Sequence, residues 1–542
     1  MEFTLEQLSE AAMRRWNGWG DESISVPLSE DAKQFLVRAL GMPAPLPDVS
    51  LQDVLAKVPP SNLPDHPLIS KDPEERLRHA RGQSFPDWVA LRSGHIGRFP
   101  DGVAYPENSA QVRELLSFAS DKGIAVIPYG GGTSVAGHIN PQDDDRPVLT
   151  IDMRRMNRLL DLDEDSLLAT FGAGASGPDI EAQLRAHGYT LGHYPQSFEY
   201  STLGGWVATR SSGQQSLYYG RIEQLFAGGT LETPRGTVTL PAFPASAAGP
   251  DLREMVLGSE GRLGILTEIT VRIRRLPQRE TFHVLFFPDW QTALDRVKYA
   301  LQTGFRPSML RLSNPAETKA FLHVGAGRST LKVLEKLLSL RGAKQQKCML
   351  TFAVSGTRRR HRQTLREAFG LFKPSAGRAI SRVLGQKWVK NRFRSAYLRN
   401  TLWEMGYGID TLETATNWDT VDQLTASIEK AIHSAFSTAG HKVMVFSHLS
   451  HLYSQGSSIY TTYIFPVASN YEDTLDLWAR AKEAASRVIV DHGATITHHH
   501  GVGTDHEPYL IHEKGKLGLE AISSVCKNFD PQGIMNPGKL VR

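Results

Sequence analysis

The chain has 542 residues, of which 40% are hydrophobic and 22% are charged, and its formal net charge at pH 7 is +4. These values are typical of a soluble globular protein with more than one domain, and so mild a charge gives no support for nucleic-acid binding. The two cysteines, Cys348 and Cys526, exclude a disulfide framework and a cysteine-based metal site.

The first 95 residues predict a helical and irregular segment. Ser29 is a suitable helix cap, helical apolar spacing continues to Leu40, and prolines follow at 43, 45 and 47. The N-terminus lacks the basic and apolar regions of a signal peptide, and no apolar run is long enough to span a bilayer. We therefore expect a cytoplasmic protein.

Between residues 96 and 277, helical and strand-like patterns alternate, which predicts a layered α+β domain. A helix is expected over 109–122 with Ser109 as its cap, and another over 178–187. Strands are expected at 124–127, 148–152 and 167–171.

The first glycine loop, Pro128–Gly137, follows the predicted strand at 124–127. Three glycines at 130–132 allow positive φ and close approach of a ligand, and Thr133 and Ser134 add hydroxyl groups. Successive N–H groups in such a turn form an anion site, so we expect a phosphate or pyrophosphate. The spacing excludes the G-x-G-x-x-G fingerprint, and the lack of a lysine excludes the nucleoside-triphosphate loop; a plain glycine hairpin is the alternative.

Two further stretches carry clustered glycines and hydroxyl residues. Gly192–Gly213 places six serines and threonines around Gly204 and Gly205, and Gly258–Glu268 joins a glycine turn to an apolar strand. The first can bind a sugar, a pyrophosphate and a flavin edge, and the backbone of the second can bind an isoalloxazine edge. The alternative is a solvated turn, which seldom repeats such residues over so many positions.

From 278 to 490 the pattern predicts a second α/β domain. Within it, the basic stretch 369–403 contains no Asp or Glu but has eight Lys and Arg residues interleaved with apolar ones. A membrane-surface helix, a phosphate-binding stretch and a solvated insertion each fit this pattern. Strands are expected at 281–287, 349–354, 443–447 and 459–465, and helices at 290–303, 416–437 and 471–491.

Three adjacent histidines, His498, His499 and His500, follow a strand-like run near the C-terminus. Neighbours on a strand point to opposite faces, so the three do not form a helical metal pair, although His498 and His500 can share a face. The acidic partners that usually complete a metal site are not adjacent, and we predict no metal. Histidines beside a flavin can shuttle protons near neutral pH.

The glycine- and hydroxyl-rich stretches resemble, in order and spacing, the FAD-binding domain of the vanillyl-alcohol-oxidase superfamily. The resemblance implies an α+β fold with a PCMH-type FAD-binding domain and a second α/β substrate domain. It implies non-covalent FAD, because the first loop has no Gly-Gly-His attachment pattern. The cofactor-binding residues that it implies are Pro128, Tyr129, Gly130, Gly131, Gly132, Thr133, Ser134, Gln196, Ser197, Phe198, Glu199, Tyr200, Ser201, Thr202, Thr209, Arg210, Ser211, Ser212, Glu260, Gly261, Arg262, Leu263, Gly264, Ile265 and Leu266.

The chain is similar, more specifically, to the alkylglycerone-phosphate synthase family. Matching motifs keep their order along most of the chain. They include Arg15–Gly20, Pro128–Ser134, Gly192–Trp206, Thr209–Arg210, Tyr219–Gly220, Thr233–Gly236, Gly258–Gly261, Glu413–Thr414, Trp418–Asp419 and His498–Gly503.

This resemblance implies a set of reacting groups and a reaction. Tyr460 is the implied acid/base, Arg399 holds an anionic group of the substrate, and Arg311 is a second arginine near the flavin. The histidines at matching positions are His193, His498, His499 and His500. The implied reaction exchanges the acyl group of acyl-dihydroxyacetone phosphate for a fatty alcohol through flavin N5, as in ether-lipid synthesis.

Two departures from the family keep a second reaction open. Gln196 stands where the family has an acidic residue, and Ile534–Leu540 resembles flavin-dependent 2-hydroxy-acid dehydrogenases. The alternative is therefore an oxidase or dehydrogenase of a 2-hydroxy acid, with Arg399 on the carboxylate. A flavin-free membrane-binding protein is a third hypothesis, against which the intact loops argue.

The expected division of the chain is an N-terminal helical segment at 1–95, a PCMH-type FAD-binding domain at 96–277, a substrate-binding cap domain at 278–490 and a C-terminal segment at 491–542. The last carries the histidines and returns to the FAD domain. The expected partners are a lipid-like small molecule and a second copy of the chain in a homodimer, with no nucleic acid. The basic stretch predicts peripheral contact with the anionic inner membrane surface of a bacterium.

Overall fold

The structure is a computed structural model that describes residues 14–325, 328–340, 342–376 and 380–541. Its helices are α1 Glu30–Leu40, α2 Leu51–Leu55, α3 Pro73–Arg78, α4 Phe85–Ser93, α5 Ser109–Lys122, α6 Gly177–Ala186, α7 Leu203–Thr209, α8 Ser216–Tyr219, α9 Ile222–Leu225, α10 Leu252–Val256, α11 Trp290–Gln302, α12 Pro315–Gly325, α13 Arg328–Leu340, α14 Arg358–Ala376, α15 Arg382–Asn391, α16 Leu398–Glu404, α17 Val421–Thr438, α18 Tyr471–Asp491 and α19 Leu510–Phe529.

The strands form four sheets. They are β1 Ile69–Ser70, β2 Gly102–Ala104, β3 Ala125–Tyr129, β4 Val148–Asp152, β5 Leu159–Asp163, β6 Leu168–Gly172, β7 Tyr189–Thr190, β8 Phe226–Thr233, β9 Gly236–Leu240, β10 Ile265–Arg272, β11 Arg274–Arg275, β12 Arg279–Phe287, β13 Met309–Ser313, β14 Cys348–Gly356, β15 Ile380–Ser381, β16 Tyr407–Asn417, β17 Met444–Leu452 and β18 Gly456–Pro466.

The N-terminal half of the chain builds two sheets that carry the glycine-rich loops. One has the order β1-β2-β4-β3, with β2, β4 and β3 parallel, and the other is antiparallel with the order β5-β6-β10-β8-β9. The end of the chain returns to the first sheet, because the N–H of Val126 donates to the carbonyl of Ile534 and Met535 is fully buried there. The first glycine loop begins where β3 ends.

The C-terminal half builds an antiparallel seven-stranded sheet with the order β15-β12-β14-β13-β17-β18-β16. Helices α11, α14, α17 and α18 contribute to the large apolar core beside it, where Ile428, Ile432 and Leu449 are fully buried. The N-terminal segment docks on the same half, since Asn400 exchanges two hydrogen bonds with the backbone of Trp19. The predicted α+β class is confirmed.

Most predicted elements are confirmed within a few residues, and two details are wrong. The cap of α5 is Asn108, whose side chain accepts from the N–H of Gln111, and Ser109 is the first helical residue. The helix predicted from 416 begins only at Val421, because Thr416 and Asn417 end strand β16. Strands β8, β9, β13 and β16 were not predicted.

The basic stretch is folded against the protein instead of forming a solvated insertion. In its described part it contributes α15 and α16, and Tyr397, Leu402 and Trp403 are buried in the apolar cores. None of the described helices is both long enough and apolar enough to cross a bilayer.

Candidate active site

A cavity of about 970 Å³ lies between the glycine-rich loops and the seven-stranded sheet. One wall comes from the first glycine loop and from residues 195–214 and 259–266, and the opposite wall from β13, β16, β17 and β18. Residues 25–28 and 35–36 and part of the basic stretch line the remaining sides. The cavity therefore brings the predicted cofactor loops and the predicted reacting groups to one space.

The first glycine loop offers unpaired donors to this cavity. The backbone N–H groups of residues 131–134 donate to no protein acceptor within the described residues. A Cβ on Gly131 would lie 1.8 Å from the carbonyl oxygen of Tyr200, and Gly132 has φ +62°. Four such N–H groups are the donors that a pyrophosphate requires, so the loop fits the phosphates of FAD.

The second and third stretches close on the first so tightly that only glycine fits at the contacts. A Cβ on Gly130 would lie 2.2 Å from Thr202 Oγ1 of the second stretch, and one on Gly261 of the third stretch would lie 2.9 Å from Pro128 Cγ. The N–H groups of Gly261 and Gly264 are unpaired within the described ranges. The predicted cofactor residues that line the cavity are Pro128, Tyr129, Gly130, Gly131, Gly132, Thr133, Ser134, Gln196, Ser197, Ser201, Thr202, Thr209, Ser211, Ser212, Glu260, Gly261, Gly264, Ile265 and Leu266.

Residues 196–200 reach mainly towards the basic stretch. Burial raises the pKa of Glu199, whose carboxyl group also lies near Tyr397. Gln196 lines the cavity, whereas Phe198, Glu199 and Tyr200 do not. The contacts are Gln196 Nε2 with the Arg392 carbonyl at 2.7 Å, the Phe198 ring with the Phe393 ring at 5.0 Å between centroids, and the Tyr200 hydroxyl with the Tyr397 hydroxyl at 3.1 Å.

Residues around the third stretch tie the loops to the C-terminal segment. The Glu260 carboxylate accepts the N–H groups of Val502 and Gly503, at 2.5 and 2.9 Å, although Glu260 also lines the cavity. Arg210, Arg262 and Leu263 do not line the cavity. Arg210 pairs with Glu254, Arg262 Nη1 donates to the Met535 carbonyl at 2.6 Å, and Leu263 is buried in the core of the antiparallel sheet.

Tyr460 lies on β18, directly opposite Glu413 of β16 and His448 of β17, so the three side chains share one face of the sheet. Its ring stacks on His448 with 4.9 Å between centroids and lies 6.0 Å from His499. The hydroxyl donates to Thr411 Oγ1 at 3.1 Å, and burial raises the pKa of Tyr460 to about 12. The phenol therefore keeps its proton at neutral pH and can donate it.

The histidine turn, residues 497–500, is held by the buried Glu413. Burial opposes ionisation of this carboxyl group, yet the adjacent histidines, above all His499, and the hydrogen bonds hold its pKa well below the usual range. His499 and His500 line the cavity, and His498 does not. The carboxylate accepts the Thr497 hydroxyl at 2.6 Å and the N–H groups of His498, His499 and His500 at 2.7, 3.0 and 3.0 Å.

Three imidazoles meet beside this turn, and their surroundings do not favour a cation. His451, His498 and His499 each bring one ring nitrogen within 4.8 Å of the others. The Arg221 guanidinium contacts His498 Nε2, and burial together with Arg221 lowers the pKa of His498 well below its usual range. A metal ion at this cluster would lie near that guanidinium, so these surroundings disfavour a cation and favour a neutral His498.

The two arginines implied by the resemblance have different partners. Arg311 donates to Glu317 at 2.7 Å and, although burial opposes it, Arg311 and His448 lower the pKa of Glu317 to about 2. Arg399 also lines the cavity, but it has no carboxylate within ion-pair distance in the described residues, and its Nη2 is buried without an acceptor there. Of these two arginines, Arg399 is therefore the one without an acidic partner, and it can bind an anionic group.

His193 is near the site but does not line the cavity. Its ring packs on Trp206 at 4.6 Å, and Nε2 lies 3.2 Å from Ser211 Oγ. Burial lowers the pKa of His193 to about 3, so the imidazole is neutral.

Several residues of the site were given no role from the sequence. His448, His451 and Glu317 line the cavity, and Glu413 holds the histidine turn from behind. Pairing β17 with β18 in the observed register would have placed His448 opposite Tyr460. That register depends on strands that are distant in sequence.

Comparison with known proteins defines the class. Residues 100–240 match the family described as FAD binding domain, and residues 276–540 match FAD linked oxidases, C-terminal domain. The chain is therefore an FAD-dependent enzyme of an FAD-linked family.

Full-length relatives narrow this class to one family. The alkyldihydroxyacetonephosphate (alkylglycerone-phosphate) synthase of Trypanosoma brucei brucei is 30% identical over 97% of this chain and 92% of the relative. The synthase of Dictyostelium discoideum is 28% identical over 100% of this chain and 95% of the relative. A solved structure of an alkyldihydroxyacetonephosphate synthase superposes with a TM-score of 0.84 at 25% identity, over 97% of this chain and 99% of that one. The chain belongs to the alkyldihydroxyacetonephosphate synthase family.

We expect the FAD to be released by acid, because the first loop holds phosphates through N–H groups and has no Gly-Gly-His pattern. Precipitating the purified protein with acid should leave yellow flavin in the supernatant. The denatured chain should then have the mass of the unmodified polypeptide, 60.0 kDa. A pellet that remains yellow would show a covalent bond and contradict the prediction.

Proposed function

We propose that the chain exchanges the acyl group of acyl-dihydroxyacetone phosphate for a fatty alcohol, as its synthase relatives are named for doing. The observation that carries the proposal is that one cavity is lined both by many apolar side chains and by Tyr460, Arg399, His499 and His500. Residues 96–277 would bind FAD, residues 278–490 would bind the substrate, and residues 491–542 would bring the histidine turn between them.

Apolar side chains from α1, α12 and the half of β16, β17 and β18 remote from Tyr460 line one part of the cavity, which we call the apolar limb. A chain of many methylene groups gains about 0.8 kcal/mol for each one that it buries, so a wall of this kind favours a lipid tail. The limb is lined by Leu28, Phe35, Leu36, Phe321, Val324, Leu402, Ile409, Met444, Phe446 and Ile464.

The polar end of the cavity suits a ketose phosphate. Arg399 offers a planar guanidinium to the phosphate, and Tyr460 and the histidine turn can donate and accept protons beside the reacting carbon. FAD, when bound by the glycine-rich loops, supplies the electrophilic ring position at which groups are exchanged. Burial lowers the pKa of Arg399 to about 10, so the side chain is still a cation at neutral pH.

Oxidation of a 2-hydroxy acid is the second candidate. The match to FAD linked oxidases and the C-terminal run Ile534–Leu540 favour it. There Arg399 would hold the substrate carboxylate and the histidine turn would take the hydroxyl proton. The apolar limb would then have no part in binding a short substrate.

One experiment separates the two candidates. The purified enzyme is incubated with palmitoyl-dihydroxyacetone phosphate and labelled hexadecanol, and the organic extract is analysed for the ether product. Labelled ether supports the exchange. Absence of ether, together with reduction of a dye acceptor by D-lactate or a longer 2-hydroxy acid, supports oxidation instead.

We expect Arg399→Lys to raise the KM for the phosphate substrate about tenfold or more and to leave the FAD spectrum unchanged. The Arg399 guanidinium lies 4.2 Å from the Trp88 ring centroid and donates to the Gln83 carbonyl, and a lysine loses both the planar stack and the fork. Steady-state kinetics and the flavin absorbance measure the two effects.

Arg92→Lys is the matched control for this change. Arg92 also lies over the Trp88 ring, at 5.3 Å, but it pairs with Asp48 and does not line the cavity. We expect the KM of Arg92→Lys for the phosphate substrate to stay within about twofold of the wild-type value. An unchanged KM in Arg399→Lys would contradict the assignment of Arg399 to the phosphate.

Contact with anionic membranes is a further part of the proposal. Helix α13 exposes Val333, Leu337 and Leu340 next to lysines, and α15 in the basic stretch exposes Val383 beside Arg382. Each basic side chain near an anionic surface contributes about 1 kcal/mol, and salt weakens the attraction. More protein should therefore sediment with anionic than with neutral vesicles at low salt, and equal sedimentation would contradict this. The homodimer rests on the family resemblance alone.

A further inference from the structure

We propose that Glu413 is a positioning residue for the reaction: its carboxylate folds the histidine turn and holds His499 and His500 beside Tyr460. This inference rests on the proposed function for its kinetic consequence. Its structural part, that one carboxylate orders the turn, stands independently of the substrate.

The geometry places the carboxylate at the centre of the turn. Four donors from four consecutive residues, 497–500, converge on its two oxygens at distances of 2.6 to 3.0 Å. The next residues of β16 hold the start of the turn as well, because Thr414 Oγ1 donates to the Thr495 carbonyl at 2.6 Å and Ala415 bridges to Thr495. The turn therefore takes its position from β16.

The same strand sets the position of Tyr460. Glu413 and Tyr460 are directly opposite in the β16–β18 register, so a single pair of strands fixes both the phenol and the support of the histidines. The centroid of the Tyr460 ring lies 6.0 Å from that of His499 and 5.6 Å from that of His500. A shift of the turn relative to β16 changes these two spacings directly.

A carboxylate can accept hydrogen bonds at both of its oxygens, as the four donors of the turn require, and an amide cannot. The Glu413 side chain is 0% exposed, and no Lys or Arg lies within ion-pair distance of it in the described ranges. A buried carboxylate without a Lys or Arg partner is costly unless other groups satisfy it. Here the backbone N–H groups of the turn and the imidazoles of His498, His499 and His500, at 3.4 to 4.0 Å, do so. Glutamine has one accepting oxygen, so its NH₂ group, in place of Oε2, would face the N–H of His498 and could not accept it.

The expected kinetic signature follows from where the substrate is held. Arg399 and the apolar limb bind the substrate without help from the turn, so disordering the turn should lower kcat and leave KM nearly unchanged. A loss of preorganisation of about 1 Å at a proton-transfer group typically reduces the rate about 100-fold.

The test compares Glu413→Gln with wild type in the FAD-loaded enzyme. We expect kcat for ether formation to fall about 100-fold, KM to stay within about threefold, and FAD content to be unchanged. Diethyl pyrocarbonate, which modifies accessible imidazoles, should label residues 498–500 faster in the variant, as measured by mass spectrometry of the peptide.

Asp101→Asn is the matched control. Asp101 is also a buried carboxylate that accepts backbone N–H groups, from Asn62 and Val148, but it lies at the far end of β2 and β4 from the glycine loop. The Asp101→Asn substitution should lower the stability of the protein without changing kcat or the labelling of the histidine turn. Equal labelling and kcat in Glu413→Gln and wild type would overturn the proposal.

If Glu413→Gln does not fold, a milder variant, Thr497→Val, tests the role of Glu413. Thr497→Val removes one donor to the carboxylate and keeps the shape of the side chain, so kcat should fall about fivefold at constant KM. Wild-type kcat in Thr497→Val would overturn the proposal. If wild type makes no ether, the proposed function fails, and the labelling of the histidine turn alone then tests the role of Glu413.

Discussion

Gly131→Ala is expected to lose at least about nine-tenths of its bound FAD. The added methyl group would lie 1.8 Å from the carbonyl oxygen of Tyr200, a distance that real Cβ atoms do not adopt, so the loop must move away from the second glycine-rich stretch. That movement turns the unpaired N–H groups of residues 131–134 away from the pyrophosphate, and the loss of several such bonds removes the basis of binding. The ratio of absorbance at 450 nm to that at 280 nm measures the effect.

Gly370→Ala provides the control for this substitution. Gly370 lies in α14, where a Cβ would meet nothing within 4 Å, so alanine should stabilise the helix by about 0.5–1 kcal/mol and leave FAD content unchanged. Circular dichroism of Gly131→Ala distinguishes local loss of the cofactor from unfolding. Full FAD occupancy in Gly131→Ala would contradict the assignment of this loop to the pyrophosphate.

Local patterns predicted the cofactor loops, because their chemistry lies in consecutive residues. Gly131 and Gly132 can be interpreted without knowing what packs on them, and the same is true of the cap at Ser29, which is confirmed. The cap of α5 was placed one residue late because Asn108 and Ser109 are both good caps, and only the structure shows which side chain accepts the N–H.

The reacting end of the site could not be predicted in the same way, because it depends on pairing between distant strands. Glu317, His448 and Glu413 come from three parts of the chain and meet Tyr460 only through the order β13-β17-β18-β16. Register of this kind is fixed by packing over the whole sheet and leaves no local signal. The family resemblance supplied a role for Tyr460, and it matched Glu413–Thr414 without giving Glu413 a role.

The basic stretch shows that part of a run of positive charge can be buried when its aromatic partners are distant in sequence. Eight positive residues without an acidic one predict a solvated or membrane-facing segment. In the structure Arg392 lies 4.6 Å from the Tyr194 ring centroid and Arg399 lies 4.2 Å from that of Trp88, so both guanidinium groups stack inside the protein. Guanidinium is weakly hydrated and planar, which makes such burial less costly than for lysine.

Tyr460→Phe should retain FAD and lose activity by a factor of about 10² or more. The Tyr460 phenol keeps its proton at neutral pH, because burial raises its pKa to about 12. Phenylalanine removes that proton while keeping the ring stacked on His448. The substrate still binds through Arg399 and the apolar limb, so kcat should fall while KM changes little. Single-turnover kinetics with the FAD-loaded enzyme separate the chemical step from binding.

Tyr463→Phe is the control that removes a buried hydroxyl from the same strand. The Tyr463 hydroxyl donates to Asp410 at 3.2 Å, and the residue does not line the cavity, so this variant should lose about 1 kcal/mol of stability and keep its kcat. Since the Tyr460 phenol stays protonated up to about pH 11, the wild-type rate should show no loss from its ionisation below that pH. A Tyr460→Phe variant with kcat within twofold of wild type would mean that the proton comes from the histidine turn, and the role assigned to Tyr460 would be wrong.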